Sequence, residues 1–144
     1  MIAIGSDHAG FAAKEGLKQL LAEKGLSYRD FGCFSEDSVH YPQFGAAVAK
    51  AVATAECQQG ILICGTGIGM SIIANKFTGV RAALCHNAFT AEASREHNDA
   101  NVLVLGARVL EQNQLTEIVD IWLNTSFAGG RHAERVSMIE NLVK

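Results

Sequence analysis

Cys64 closes the apolar run "ILIC" and is followed by "GTGIG", three glycines in five residues. Glycine lets backbone N–H groups approach a ligand closely. If "ILIC" is a strand and a helix starts just behind the glycines, those N–H groups and the positive helix end favour an anion. They also favour the thiolate of Cys64. A thiolate beside an array of donors can take a proton from carbon while the donors hold the oxyanion that forms. The alternative is that Cys64 is a small buried hydrophobe and the glycines make a tight turn.

Other side chains invite the same double reading. Asp7 and His8 follow the first apolar run: either Ser6 or Asp7 caps the first helix, or the acid and imidazole hold sugar oxygens. His97 in "REHNDANV" is a favourable imidazole at a helix C-terminus or a proton carrier near neutral pH, with Asn98 beside it to orient a hydroxyl. Arg131 and Arg135 in "GGRHAER" share a helix face, either as a solvated stripe or as a phosphate clamp, and Arg108 is a third candidate for that clamp. His40, His86 and His132 have no metal-ligand spacing, and no metal is assigned.

Three common loops fail on residue identity. Counting from Gly65, a dinucleotide fingerprint reaches Met70 where its last glycine belongs. A P-loop meets Met70 and Ser71 in place of its Gly-Lys, and a thiol-phosphatase loop finds Met70 where arginine is needed.

The elements that must position these residues alternate. Strand-like runs at 2–4, 28–31, 61–64, 80–85 and 101–106 are separated by helical patterns. The first helix runs from Phe11 and ends at Gly25, and Pro42 opens the second. A short helix follows Gly69, "AFTAEASREH" forms another, and Leu115, Ile118, Val119 and Trp122 mark the next. A last amphipathic helix after "FAGGR" carries Val136, Ile139 and Leu142 on one face. This order implies right-handed βαβ units and a parallel sheet covered on both faces, an α/β fold. Ligands then sit beyond the carboxyl ends of the strands, which selects the loops "GSDHAG", "CGTGIG", "CHN" and "GAR".

The 144 residues suit one domain, and 49% hydrophobic with 19% charged residues is a globular composition. A net charge of −3 argues against a general nucleic-acid or anionic-membrane surface. No apolar run approaches the roughly 18 residues of a membrane span, and no export signal is visible. The four cysteines lack zinc-finger spacing and read as reduced thiols, pointing to a cytoplasmic protein.

Together, "GSDHAG", "YP" at 41–42, "GILICGTGIGMSIIANK", "GVRAALC", "REHNDANVLVLGAR" and "GGRHAERV" resemble ribose-5-phosphate isomerase type B from residue 5 to residue 136. The resemblance implies a Rossmann-like, three-layer α/β/α sandwich with a five-stranded parallel sheet. It implies a single domain over 1–144, with the C-terminal helix 132–144 at a dimer interface. The implied activity interconverts ribose 5-phosphate and ribulose 5-phosphate in the pentose phosphate pathway, without metal or cofactor. Cys64 would be the base and His97 would assist ring opening, with Thr66 nearby. Gly65, Thr66, Gly67, Ile68 and Gly69 would hold the enediolate, and Asp7, His8 and Asn98 would contact the substrate. Arg108, Arg131 and Arg135 would bind phosphate, some of them from the partner in a homodimer or a dimer of dimers. Some family members use a glutamate elsewhere; Cys64 puts this chain in the cysteine branch. Allose 6-phosphate is an alternative substrate, whereas the galactose-6-phosphate isomerase subunits differ in the "CGTG" loop. A non-catalytic sugar-phosphate or nucleotide sensor is the competing function. A thiol redox protein is a third, though no resolving cysteine lies near Cys64.

Overall fold

The computed structural model describes residues 1–143. The elements run β1 (Ile2–Ser6), α1 (Phe11–Glu23), β2 (Tyr28–Asp30), α2 (Tyr41–Ala53), β3 (Gln59–Cys64), α3 (Ile68–Ala74), β4 (Ala82–Leu84), α4 (Ala88–Glu96), β5 (Val102–Gly106), α5 (Gln112–Asn124) and α6 (Arg131–Leu142). The five strands pair in parallel in the order β2-β1-β3-β5-β4.

Side chains alternate across a strand, so each central strand feeds two cores. Ile2, Ile4, Ile61, Ile63, Leu103 and Leu105 pack with residues of α1, α4 and α5. Ala3, Leu62, Val102 and Val104 face the other way, onto α2 and α3. Burial on both faces explains the unbroken apolar runs of β1, β3 and β5. The chain leaves β1 for β2 on one side and returns to β3 on the other. That reversal opens a crevice beyond the carboxyl ends of β1 and β3.

Two expectations need correction. The fourth strand is shorter than 80–85. Side-chain amides occupy its start: Asn101 Oδ1 accepts from the Arg81 N–H at 2.8 Å, and Asn75 Oδ1 from the Ala82 N–H at 2.8 Å. The last helix begins at Arg131, not at 132, after Gly129 and Gly130 at φ 69° and 58°. None of its described residues is buried; Ile139 is 50% and Leu142 76% exposed. The helix is held by polar contacts at the sheet edge, including Arg81 to Glu140 at 2.7 Å, so its apolar stripe lies uncovered in the single chain. Lys144, the last residue of the predicted helix, lies outside the described residues.

A charged cluster ties α1 to the end of β2. Lys14, on the buried face of α1, is fully buried, and its Nζ donates to both Asp30 oxygens at 2.7 Å and to the Cys33 carbonyl at 2.6 Å. Lys18 joins Asp30 at 2.9 Å. Burial pushes the Asp30 carboxyl up, but hydrogen bonds from Lys14, Lys18 and the Gly32 N–H outweigh it and hold the group below its ordinary value. A depressed carboxyl stabilises the fold above its unfolded pKa near ~3.9 and loses that contribution as pH falls through the folded value. Hydrogen bonds to Glu15 and Asp30 hold the Lys18 ammonium above its ordinary range, so its contribution persists at neutral pH and is lost only in strong alkali. Asp30→Asn leaves Lys14 buried without its counter-charge. It is expected to lower stability at neutral pH by about 3–5 kcal/mol and to flatten the acid limb below about pH 4. Urea unfolding of both proteins across that range checks this; equal acid limbs would remove Asp30 from the account.

Candidate active site

The crevice between β1 and β3 is walled by two loops. In the first, the Asp7 N–H donates to the Ile63 carbonyl at 3.3 Å, which sets Asp7 and His8 beside the end of β3. Neither Ser6 nor Asp7 caps α1. Asp7 Oδ1 accepts from the Gly10 N–H at 3.0 Å, closing a turn ahead of the helix, and Gly10 is the N-cap. Ser6 Oγ is buried and has no partner among the described residues.

In the second loop, Cys64 ends β3 and is 6% exposed. Its Sγ accepts a hydrogen bond from the Gly67 N–H at 3.1 Å. Gly67 is at φ 83°, the left-handed conformation that turns the chain into α3. A Cβ there would lie 2.4 Å from Leu84 and 3.1 Å from the Leu105 carbonyl oxygen. Thr66 Oγ1 accepts from the Ile68 N–H at 3.2 Å, and α3 begins at Ile68 rather than beyond Gly69. The Gly69 N–H belongs to the first helical turn, where no intrahelical acceptor exists. The loop therefore presents a thiol and backbone donors on one strand–turn–helix unit, which suits proton abstraction beside an oxyanion.

The β5–α5 loop packs on top. The Ala107 N–H donates to the Cys64 carbonyl and the Arg108 N–H to the Gly65 carbonyl, both at 2.9 Å. The Arg108 guanidinium lies over Gly65, its Nη1 3.4 Å from where a Cβ of that residue would stand. Tyr41 is a further wall of the loop that residue types alone do not point to. Its ring covers Gly69, where a Cβ would fall 2.4 Å from the ring edge. Tyr41 is the first residue of α2 and Pro42, the second, marks the helix start in the sequence.

His97, Asn98, Arg131 and Arg135 lie elsewhere. Cys64 pairs with Gly106 at the carboxyl end of β5, whereas His97 precedes Val102 at the amino end. The four residue steps of β5 alone separate the two ends by roughly 13 Å. The cause is topological: α4 runs back along the sheet and delivers His97 to the far edge. There His97 stacks on His132, ring centres 4.4 Å apart and planes 15° apart. Desolvation and the neighbouring His97, Arg131 and Arg135 charges push the His132 imidazole down. A cleft of about 630 Å³ opens at this end, walled by Phe77, Arg81, Asn98, Ile139 and Glu140 among others. Cys64 is not among its walls. Within one chain, the thiol, the glycine loop, Asp7, His8 and Arg108 are together, while His97, Asn98, Arg131 and Arg135 form a second group. The four cysteines are all free, and burial pushes the Cys57 and Cys85 thiols up.

Residues 2–139 match the ribose/galactose isomerase family. The chain belongs to that family. As a ribose/galactose isomerase, it is 47% identical to ribose-5-phosphate isomerase B of Escherichia coli strain K12 over 138 residues, 96% of this chain and 93% of that protein. It is 41% identical to D-erythrulose-4-phosphate isomerase of Pectobacterium atrosepticum, over 96% of this chain and 91% of the relative. Its fold is that of the solved Clostridium thermocellum ribose-5-phosphate isomerase B, with a TM-score of 0.96 at 51% identity, covering 98% of this chain and 95% of the other. The expected three-layer α/β fold is thus present, and this ribose/galactose isomerase acts as a sugar-phosphate isomerase rather than as a mere sensor. Among the described residues no helix is long and apolar enough to cross a membrane.

Proposed function

We propose that this isomerase interconverts ribose 5-phosphate and ribulose 5-phosphate in the cytoplasm, as a step of the pentose phosphate pathway, at a site completed by two copies of the chain. The observation that carries the chemistry is the Cys64 thiol at the strand end, bonded by the Gly67 N–H inside a donor-rich turn. In the open aldose, the Cys64 thiolate takes the proton from C2. The electron pair moves to the C1 oxygen, giving an enediolate held by the N–H groups of 65–69. The thiol returns the proton to C1, a hydroxyl proton passes from O2 to O1, and the ketose results. No metal and no net oxidation are involved.

His97 opens the sugar ring, and Asn98, Arg131 and Arg135 complete the site from the second copy. Two features support the pairing. His97 and Cys64 stand at opposite ends of one sheet, and apolar side chains on α3 and α6, among them Ile68, Ile72, Met138 and Leu142, are exposed in the single chain. A phosphate dianion gains charge-assisted hydrogen bonds of about 1.5–3 kcal/mol each from guanidinium groups. Arg135→Ala is therefore expected to raise KM for the phosphorylated sugar at least about tenfold, equivalent to ~1.4 kcal/mol. An unchanged KM would take Arg135 out of the phosphate site.

The likeness to a D-erythrulose-4-phosphate isomerase favours a second reading, in which the chain length of the sugar differs. A metal-free assay comparing ribose 5-phosphate, erythrulose 4-phosphate and allose 6-phosphate decides between them. The highest kcat/KM on ribose 5-phosphate supports the proposal, and a higher value on either other sugar overturns it.

A further inference from the structure

His8 is half-buried at the mouth of the crevice, and its ring makes one contact that fixes its chemistry: Nδ1 accepts a hydrogen bond from the Val39 backbone N–H at 3.1 Å. A neutral imidazole has one N–H and one bare nitrogen. With Nδ1 engaged as acceptor, the proton resides on Nε2. The backbone around His8 is already fixed, because Asp7 bonds the end of β3 and the Phe11 N–H donates to the His8 carbonyl at 3.4 Å. What remained free was the ring, and Val39 settles it.

Val39 stands immediately before His40, the N-cap of α2. It belongs to the connection between β2 and α2, residues 31–40. That connection starts at the buried anchor, where Lys14 spends its three protons on Asp30 and the Cys33 carbonyl. The Gly32 N–H donates to Asp30 Oδ1 at 2.8 Å, Cys33 Sγ to the Ser35 carbonyl at 3.3 Å, and the Asp37 N–H to Ser35 Oγ at 3.2 Å. The Phe34 ring lies 5.1 Å from the Lys14 ammonium. The segment is held at its two ends: the Phe31 and Cys33 N–H groups donate to the Ile4 and Ser6 carbonyls at 2.8 and 2.7 Å, Phe34 to Ser38 are exposed, and the Val39 N–H returns to His8.

We infer that the 31–39 segment, anchored on Lys14, is a positioning strap that locks His8 in the Nε2–H tautomer, so that His8 meets the sugar phosphate only as a hydrogen-bond donor. The inference rests on the proposed site insofar as His8 faces the substrate; the tautomer itself does not depend on it. The oxygens of a phosphate dianion and of the open sugar's carbonyl only accept hydrogen bonds, and an imidazole offering a bare nitrogen would meet them lone pair to lone pair. The strap prevents that arrangement before substrate arrives, a preorganising role for the Val39 N–H. Lys14 and Val39 act through His8 and touch no reacting atom.

The test reads the tautomer directly. Long-range proton–nitrogen NMR of the full chain at about pH 8, where imidazole is neutral, distinguishes the two forms. His8 is assigned by its disappearance in His8→Gln. The expected result is Nε2–H for His8 in the native sequence and a mixture in Val39→Pro, which lacks the donating N–H. Nδ1–H in the native protein, or an unchanged Nε2–H in folded Val39→Pro, overturns the lock. Should Val39→Pro not fold, the side-chain pair decides. Glutamine carries an N–H donor near the position of Nε2, whereas asparagine reaches only that of Nδ1. His8→Gln is expected to retain at least about tenfold more kcat/KM than His8→Asn, ~1.4 kcal/mol. Equal loss in both overturns the donor role. If ribose 5-phosphate is not turned over at all, the proposed function fails while the NMR result still decides the tautomer.

Discussion

Cys64→Ala is expected to lower kcat by about 10²–10⁴, the usual range for loss of a general base. Binding of a phosphorylated sugar acid that mimics the enediolate should survive. The donors of the glycine turn are backbone groups, and the turn is held by features the mutation leaves alone: the left-handed Gly67, the Arg108 N–H on the Gly65 carbonyl and the Tyr41 ring over Gly69. Only the hydrogen bond from the Gly67 N–H to Sγ is lost. Cys64→Ser separates the two contributions further. A hydroxyl keeps an acceptor for Gly67 but is far too weak an acid to supply an anionic base, so it should be nearly as slow as alanine. Turnover near that of the native protein in either variant, measured with saturating ribose 5-phosphate, would sink the assignment of Cys64 as base.

The parts of this site that could be read from the sequence share a physical reason. Asp7, His8, Cys64 to Gly69 and Arg108 all follow directly after strands, and a parallel sheet sends every such loop to one edge. Their neighbourhood follows from "IAI", "ILIC" and "NVLVLG" reading as strands of one parallel sheet. His97 and Asn98 follow a helix, and a helix in a βαβ unit returns the chain to the other edge. Their distance from Cys64 is therefore a consequence of the same alternation, but one that residue types alone do not display. Motif resemblance pools both groups into one site at a dimer interface without saying which chain supplies each residue.

Lys14 carries a signal in the sequence itself. It shares the buried face of α1 with Ala13, Leu17 and Leu21, so the helical period already placed a lysine among apolar side chains. A buried lysine demands a counter-charge. That demand pointed to a carboxylate nearby, which the fold supplies as Asp30. The Val39 contact had no such signal, because a backbone N–H in an irregular segment carries no residue identity. Val136, Ile139 and Leu142 on α6 have the spacing of a packed face and none is buried in the single chain, which supports the proposed packing of this helix against a second copy.

The proposed two-copy site makes subunit mixing its sharpest test. Cys64→Ala removes the base, and the double variant Arg131→Ala/Arg135→Ala removes the phosphate clamp; each protein alone is expected to be nearly inactive. In a dimer formed from one subunit of each kind, two sites exist. One combines the alanine at 64 with the stripped clamp and is doubly defective. The other combines the intact Cys64 of the second variant with the intact arginines of the first and is whole. With random exchange of equal amounts, half the dimers are mixed and half their sites are intact, so activity should return to about a quarter of the native value. His97→Ala mixed with Cys64→Ala should recover in the same way, since His97 stacks on His132 beside the two arginines. Arg108→Ala supplies the contrast. Its guanidinium lies over Gly65 of its own chain, so mixing Arg108→Ala with Cys64→Ala should restore nothing unless its role is separate from that loop. In that pair the subunit carrying intact Cys64 lacks Arg108, and the subunit carrying Arg108 lacks Cys64. Recovery with the α6 and His97 variants, together with none from Arg108→Ala, assigns each residue to its chain. Failure of the first set after exchange has been demonstrated by mass spectrometry would mean that one chain holds thiol and clamp together, and the two-copy site would have to be abandoned.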